Sequence, residues 1–115
     1  MRGLDLASCV CAGTVEEAGK IAELSPDFLA IEPPELIGTG ISVSKARPEL
    51  VRGSVRHARR RGFDGKILCG AGIVNASDVV MARKLGVQGV LVASSIVKAS
   101  NWRRKIQELS RALLE

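Results

Sequence analysis

Phe28-Leu-Ala-Ile-Glu-Pro-Pro-Glu-Leu-Ile-Gly-Thr-Gly-Ile41 is the stretch on which the reading of the whole chain turns. Its first four residues form a short, unbroken apolar run, the pattern of a strand buried on both faces of a parallel sheet. Glu32 stands where that strand emerges, and a carboxylate there is rarely structural filler. Pro33 biases Glu32 toward extended backbone, and Pro34 stiffens the exit. Gly38 and Gly40 then permit the backbone changes and close ligand approach that a closing lid requires. Glu32 is therefore the candidate general base. Glu35, on the lid itself, reads as a hinge or solvent-facing residue rather than a second acid.

Outward from this segment the same strand-then-helix unit recurs. Upstream, a strand near Leu6 to Cys11 is followed by Thr14-Val-Glu-Glu17, which has the form of a capping box, and the helix it opens runs to about Leu24. Beyond the lid, Pro48 opens a helix that stops near Gly62, with its arginines away from Val51, Val55 and Ala58. A third strand near Lys66 to Cys69 leads through Gly70-Ala-Gly72 to a helix capped by Asn75 or Ser77 and ended at Gly86. A fourth, near Gly89 to Ala93, precedes a helix in which Trp102, Ile106, Leu109 and Leu113 recur at helical spacing. Trp102 accordingly reads as a packing residue rather than a platform for a nucleobase. Strands alternating with helices, without a tight hairpin, imply an α/β fold of parallel strands joined by helical crossovers. Taken singly, Gly70 and Gly86 read as the ends of elements. Taken in order, the glycine-rich turns all follow strands and would converge on one rim.

With 46% apolar and 25% charged residues the chain reads as a globular protein, and its 115 residues limit it to a single domain, 1–115. No apolar run approaches the roughly 18 residues of a membrane span, and the Met1 segment reaches Asp5 before any extended apolar region, unlike a signal peptide. The 3 cysteines, an odd number in apolar surroundings, suggest a reducing, cytoplasmic compartment. Cys9 and Cys11 would share one face of a strand. Together with Cys69 and no suitable histidine they make a poor zinc set, so all three read as buried thiols and no metal is expected. His57, the only histidine, falls inside the helical pattern from Pro48 to Arg61 and reads as an ordinary surface residue. The net charge of +5 and the run Arg59-Arg60-Arg61 raise the question of nucleic acid. That run sits at a helix end, where cations favour the dipole and arginine stems cover apolar surface, and one tryptophan without tyrosine leaves little for base stacking. A solvated face is the simpler account.

The lid segment resembles the catalytic loop of the triosephosphate isomerase family, above all its archaeal members, whose loop also reads Glu-Pro-Pro-Glu-Leu-Ile-Gly-Thr-Gly-Ile before a Val-Ser-Lys segment. Here the continuation is Ser42-Val43-Ser44-Lys45. Ile67-Leu-Cys-Gly-Ala-Gly-Ile73 and Gly89-Val-Leu-Val-Ala-Ser94 follow in the family's order, so the likeness spans nearly the whole chain. One departure is Ser95, where the archaeal proteins carry glycine. The resemblance implies the C-terminal half of a TIM (β/α)8 barrel, since a complete barrel takes about 250 residues. It implies a glycolytic isomerase that interconverts dihydroxyacetone phosphate and glyceraldehyde 3-phosphate by proton transfer, with Glu32 as the base and no metal or organic cofactor. By the same resemblance, substrate contacts fall at Ile37 and Gly38 in the lid, Gly72 after the third strand, and Ala93 and Ser94 after the fourth, mostly through main-chain groups.

The family's catalytic lysine and histidine belong to the N-terminal half, and no residue here matches them. The isolated chain is thus expected to be inactive, and its exposed strand edges call for a partner: a separate N-terminal half-barrel, or a second copy of the chain. A piece of a longer gene product would look the same. The alternative function is a non-catalytic phosphate- or nucleic-acid-binding half-barrel. Barrels of the tryptophan- or histidine-biosynthetic type share the last two turns, yet they do not explain Glu32-Pro-Pro followed by Gly-Thr-Gly.

Overall fold

Four short strands pair in parallel and in sequence order: β1 (Cys9–Ala12), β2 (Phe28–Ile31), β3 (Lys66–Gly70) and β4 (Gly89–Leu91). The computed structural model describes residues 2–114, so Met1 and Glu115 of the expected 1–115 unit lie outside the described residues. Parallel neighbours require crossovers, and right-handed crossovers between successive strands carry every helix to the same face of the sheet. Helix α1 (Val15–Glu23) joins β1 to β2, and the lid, α2 (Val43–Ala46) and α3 (Pro48–Arg60) join β2 to β3. Helix α4 (Ala76–Lys84) joins β3 to β4, after which come α5 (Ser94–Val97) and α6 (Trp102–Ala112). These are four consecutive β/α units of half a (β/α)8 barrel.

Local chemistry explains where the helices start. Thr14 Oγ1 accepts from the Glu17 amide at 3.1 Å, while Glu17 Oε1 accepts from the Gly13 amide at 2.9 Å, so the box closes one residue upstream of the usual partner. Of the two candidates for α4, Asn75 is the cap: its Oδ1 accepts from the Asp78 amide at 3.2 Å and the Asp78 carboxylate accepts from the Asn75 amide at 3.2 Å. Ser77 instead donates its hydroxyl to Asn75 Oδ1 at 2.6 Å. Helix α6 is capped by Asn101, which accepts from the Arg104 amide at 3.0 Å.

Strand register divides the side chains between two unlike faces. Leu29, Ile31, Ile67 and Cys69 point to the helices, are fully buried, and form one core with Val51, Ala58, Val79 and Ala82. Phe28, Leu68 and Leu91 lie on the opposite face and are only half-buried. Cys9 and Cys11 share that second face and are exposed, not buried as expected; only Cys69 is buried. The reason is topological: among the described residues β1 is an edge strand with β2 as its one strand neighbour.

Three further expectations change in the fold. His57 is half-buried rather than on the surface, because its ring fills the space above Gly19 of α1, where an added Cβ would lie 2.4 Å from the ring. Trp102 is 59% exposed and Ile106 48%, whereas Leu109 is buried, so only the C-terminal part of the α6 stripe packs. The indole of Trp102 donates to the Val97 carbonyl at 3.1 Å. Arg59 is a staple beneath the sheet rather than part of a solvated run. Its guanidinium donates to the carbonyls of Phe63 and Gly65 at 2.9 and 2.8 Å and to Gln88 Oε1 at 3.0 Å, and it lies over the Phe63 ring. Arg61 pairs with Glu23.

Candidate active site

Glu32 follows the last residue of β2, and its amide donates to the Ala12 carbonyl at 2.9 Å, continuing the sheet for one more residue. Pro33 is extended and Pro34 starts a turn of 3-10 helix, Pro34–Leu36, so the chain leaves the sheet at once and the Glu32 side chain stays at the rim. Alternation puts that side chain on the open face, with Phe28 and Ala30. There its Oε2 lies across Gly70, where an added Cβ would come within 2.8 Å of it. Gly70 therefore does more than end a strand: it clears the place that the carboxylate occupies.

The lid rises from this point and returns onto β3. Gly38 and Gly40 have φ of +77° and +76°, values that L side chains resist, and flank Thr39. Thr39 braces the tip, donating its hydroxyl to the Leu36 carbonyl at 2.7 Å and accepting from the Ile41 amide at 3.0 Å. On the return, the Val43 amide donates to the Ala71 carbonyl at 3.0 Å. The Ile41 carbonyl presses on Gly72 so closely that an added Cβ would sit 1.9 Å from its oxygen. Ala71 holds φ of +87°, a non-glycine residue in the left-handed region, which costs about 1–3 kcal/mol and is characteristic of ligand-facing turns.

A cavity of about 190 Å³ opens between these parts. All six residues singled out in the sequence line it: Glu32 on one wall, Ile37 and Gly38 from the lid, Gly72 from the β3 turn, and Ala93 and Ser94 from the β4 turn. Apart from Glu32 and Ser94, the lining side chains are apolar or absent, so backbone amides of the turns are the donors that a small anion could meet. Ser95 ties the two turns together, donating its hydroxyl to the Ile73 carbonyl at 2.8 Å. On its other side Glu32 borders a wider hollow of about 510 Å³ that includes Cys11, Thr14, Glu35 and Arg47. Desolvation first, and then the charges of Glu32 and Cys9, push the Cys11 thiol up. Among the described residues no group of three His, Cys, Asp or Glu side chains is placed to hold a metal ion.

Behind the cavity lie residues that the sequence did not single out. Asp78 is 4% exposed, and its Oδ2 accepts from the Val74 amide at 2.9 Å and the Asn75 amide at 3.2 Å. Burial alone would raise its pKa, but the Val74 amide, the Lys45 ammonium and the Asn75 amide together hold the carboxyl below the usual carboxylate range. The capping position of Asp78, three residues after Asn75, was the only sign of it in the sequence. Its partner Lys45 lies 33 residues away, beyond any local pattern.

Fold and rim together define the chain as half of a parallel β/α barrel with its site at the C-terminal ends of the strands, the end where such barrels carry their chemistry. The triosephosphate isomerase family model matches residues 6–109, and the chain belongs to that family. It is 51% identical to the triosephosphate isomerase of Methanocaldococcus jannaschii over 94% of this chain and 49% of that protein. Those of Archaeoglobus fulgidus and Cenarchaeum symbiosum are 50% and 51% identical over 95% and 98% of this chain. The chain spans about half the length of the curated relatives it matches. Solved structures repeat the fold. The Amycolatopsis orientalis BexX/CysO complex superposes with a TM-score of 0.74 at 19% identity, covering 98% of this chain and 43% of that one. Thiamine phosphate pyrophosphorylase from Pyrococcus furiosus gives 0.71 at 21% identity, covering 98% of this chain and 51% of its own. At such identities the likeness concerns the fold alone.

Proposed function

We propose that this chain supplies the base, the lid and the anion-binding turns of a triosephosphate isomerase whose remaining catalytic groups come from an N-terminal half-barrel. The observation that carries this reading is the shared cavity: the Glu32 carboxylate and the turns at Gly72 and at Ala93-Ser94 face one space. In the completed barrel Glu32 removes a proton from the carbon beside the carbonyl of dihydroxyacetone phosphate and returns it to the neighbouring carbon, giving glyceraldehyde 3-phosphate. The phosphate sits against the backbone amides of the turns, with Ile37 and Gly38 closing over it. Water exclusion by that lid protects the enediolate from losing phosphate. Lid closure of this kind is best known from this same family.

The enediolate oxygens need strong donors, and among the described residues no lysine or histidine lines the hollows that Glu32 borders; losing even one such donor costs about 10² to 10³ in turnover. The isolated half is accordingly close to inactive. Two occupants fit the open edges of β1 and β4, an N-terminal half-barrel and a second copy of the chain, but only the first brings the family's lysine and histidine. Mixing the chain with the N-terminal half of an archaeal triosephosphate isomerase separates them: activity appears only in the mixture. Glu32→Gln in that mixture lowers triose phosphate interconversion by about 10³-fold, in the range for removal of a general base. Turnover unaffected by this substitution would remove Glu32 from its role. Three free cysteines fit a reducing, cytoplasmic location, and no helix among the described residues is long and apolar enough to cross a membrane. The nucleic-acid alternative is weakened by the engagement of Arg59 and Arg61 in intramolecular contacts.

A further inference from the structure

The lid's return segment is fastened to the first turn of α4 by side chains as well as by backbone. Lys45 Nζ lies 2.9 Å from Asp78 Oδ1 and donates to Ser77 Oγ at 2.7 Å. One residue earlier, the buried Ser44 hydroxyl donates to the Asp78 carbonyl at 2.9 Å and shares a hydrogen bond of 2.8 Å with Ser42 Oγ. The second oxygen of the same carboxylate holds the amides of Val74 and Asn75, and Val74 lines the cavity two residues beyond Gly72. One buried carboxylate thus has a grip on both parts: through Oδ1 on the lid stem, through Oδ2 on the turn that faces the cavity.

We propose that Asp78 is a positioning residue that couples the docking of the lid stem to the anion affinity of the cavity, with the Lys45–Asp78 pair as the link between the two. The geometry gives the direction. With Lys45 in place, the stem is held with the Val43 amide on the Ala71 carbonyl and the Ile41 carbonyl on Gly72, which keeps the strained Ala71-Gly72 turn in one shape. Without Lys45, the stem keeps the Ser44 hydroxyl on the Asp78 carbonyl as its one remaining side-chain contact with α4 among those described, while Asp78 keeps its two amides, so the turn remains formed and the stem opens more readily. Lys45 is 46% exposed but the Asp78 side chain only 5%, so removing Lys45 takes the counter-charge from a buried carboxylate that keeps two amide donors, and the fold of each variant is checked before the local opening is read. Asp78 touches no substrate in this arrangement, and it acts through the turn and the stem. The proposal rests on the preceding reading only for the identity of the bound group.

The test uses the 115-residue chain itself with Lys45→Met, Lys45→Gln and Lys45→Arg variants, each checked for unchanged circular dichroism. Two quantities are read: hydrogen exchange of the Val43 amide, and the affinity for inorganic phosphate followed through the amide resonances of Val74 and Ala93. Lys45→Met and Lys45→Gln raise Val43 exchange by about tenfold and weaken phosphate binding by about fivefold, and Lys45→Arg restores both. Unchanged Val43 exchange in both neutral variants overturns the proposal. So does weaker phosphate binding without faster exchange, which would make Lys45 a bare charge near the anion. If phosphate fails to bind the parent chain, the anion-site reading falls, while the exchange measurement still decides whether the stem is latched.

Discussion

The two faces of the sheet are built from neighbouring residues of the same strands, yet they differ in completeness. Toward the helices, Ile67 and Cys69 are wholly buried in the one core that also holds residues of α3, α4 and α6. On the other side, Leu68 between them is half-buried, and its row continues to exposed Cys9 and Cys11 across the sheet. One side is a finished core and the other is half of one. The difference shows what this half-barrel can do alone: it can hold its strands in register and shape the rim, because both depend on the helix side. It cannot enclose the barrel axis, onto which Glu32 projects from the unfinished side.

The contrast is open to direct attack through adjacent residues of β3. Ile67→Ala removes a fully buried side chain and lowers the unfolding free energy by about 2–5 kcal/mol, whereas Leu68→Ala, one residue on, costs less than about 1 kcal/mol by urea titration. Equal costs would mean that the open face is covered in solution. At the rim, Gly72→Ala drives a Cβ into the Ile41 carbonyl and adds left-handed strain at φ of +68°, costing about 1–3 kcal/mol and lifting the lid stem. Accelerated exchange of the Val43 amide is its signature; a variant as stable as the parent with the stem still docked would show the contact to be slack.

The finished face should also show itself in alkali. Burial pushes the Cys69 thiol up to about 12 from 9.0. A folded-state pKa raised above the unfolded value contributes stability that is fully present below 9.0 and is lost as pH rises toward about 12, because the unfolded chain gives up its proton first. The loss reaches about 1 kcal/mol roughly one pH unit above the unfolded value. Replacing Cys69 by alanine removes most of the slope of stability against pH over that interval, while Cys11→Ser on the open face, whose thiol is also pushed up by desolvation, removes a smaller part. A slope carried mainly by Cys11 would reverse the assignment of the two faces.

What could be read in advance follows the reach of each interaction. The strand before Glu32, the turn prolines, the helix opened at Pro48 and the Thr14 cap are short-range matters, settled within about one helical turn of chain, and they stand in the structure near their expected places. The fourth strand ends at Leu91 rather than Ala93, because an apolar run does not tell strand from the start of the following turn. Cys9 and Cys11 are exposed although their residue type favours interiors, because their environment depends on which strand lies beyond β1. His57 against Gly19 and Lys45 against Asp78 join residues more than 30 positions apart, and no periodicity in the chain announces either.

By itself, then, the amino-acid order determined the alternation of strands and helices, the emergence of one carboxylate at a strand end, and the small-residue turns, since backbone preference and hydrophobic period act over neighbouring residues. Only the tertiary structure decided that Gly70 makes room for that carboxylate, that the six rim residues share a cavity, and that Asp78 grips the lid stem and the turn together. These relations arise where parallel strands in register bring distant loops to the same end of the sheet, and that convergence belongs to the packing of the chain rather than to any segment of it.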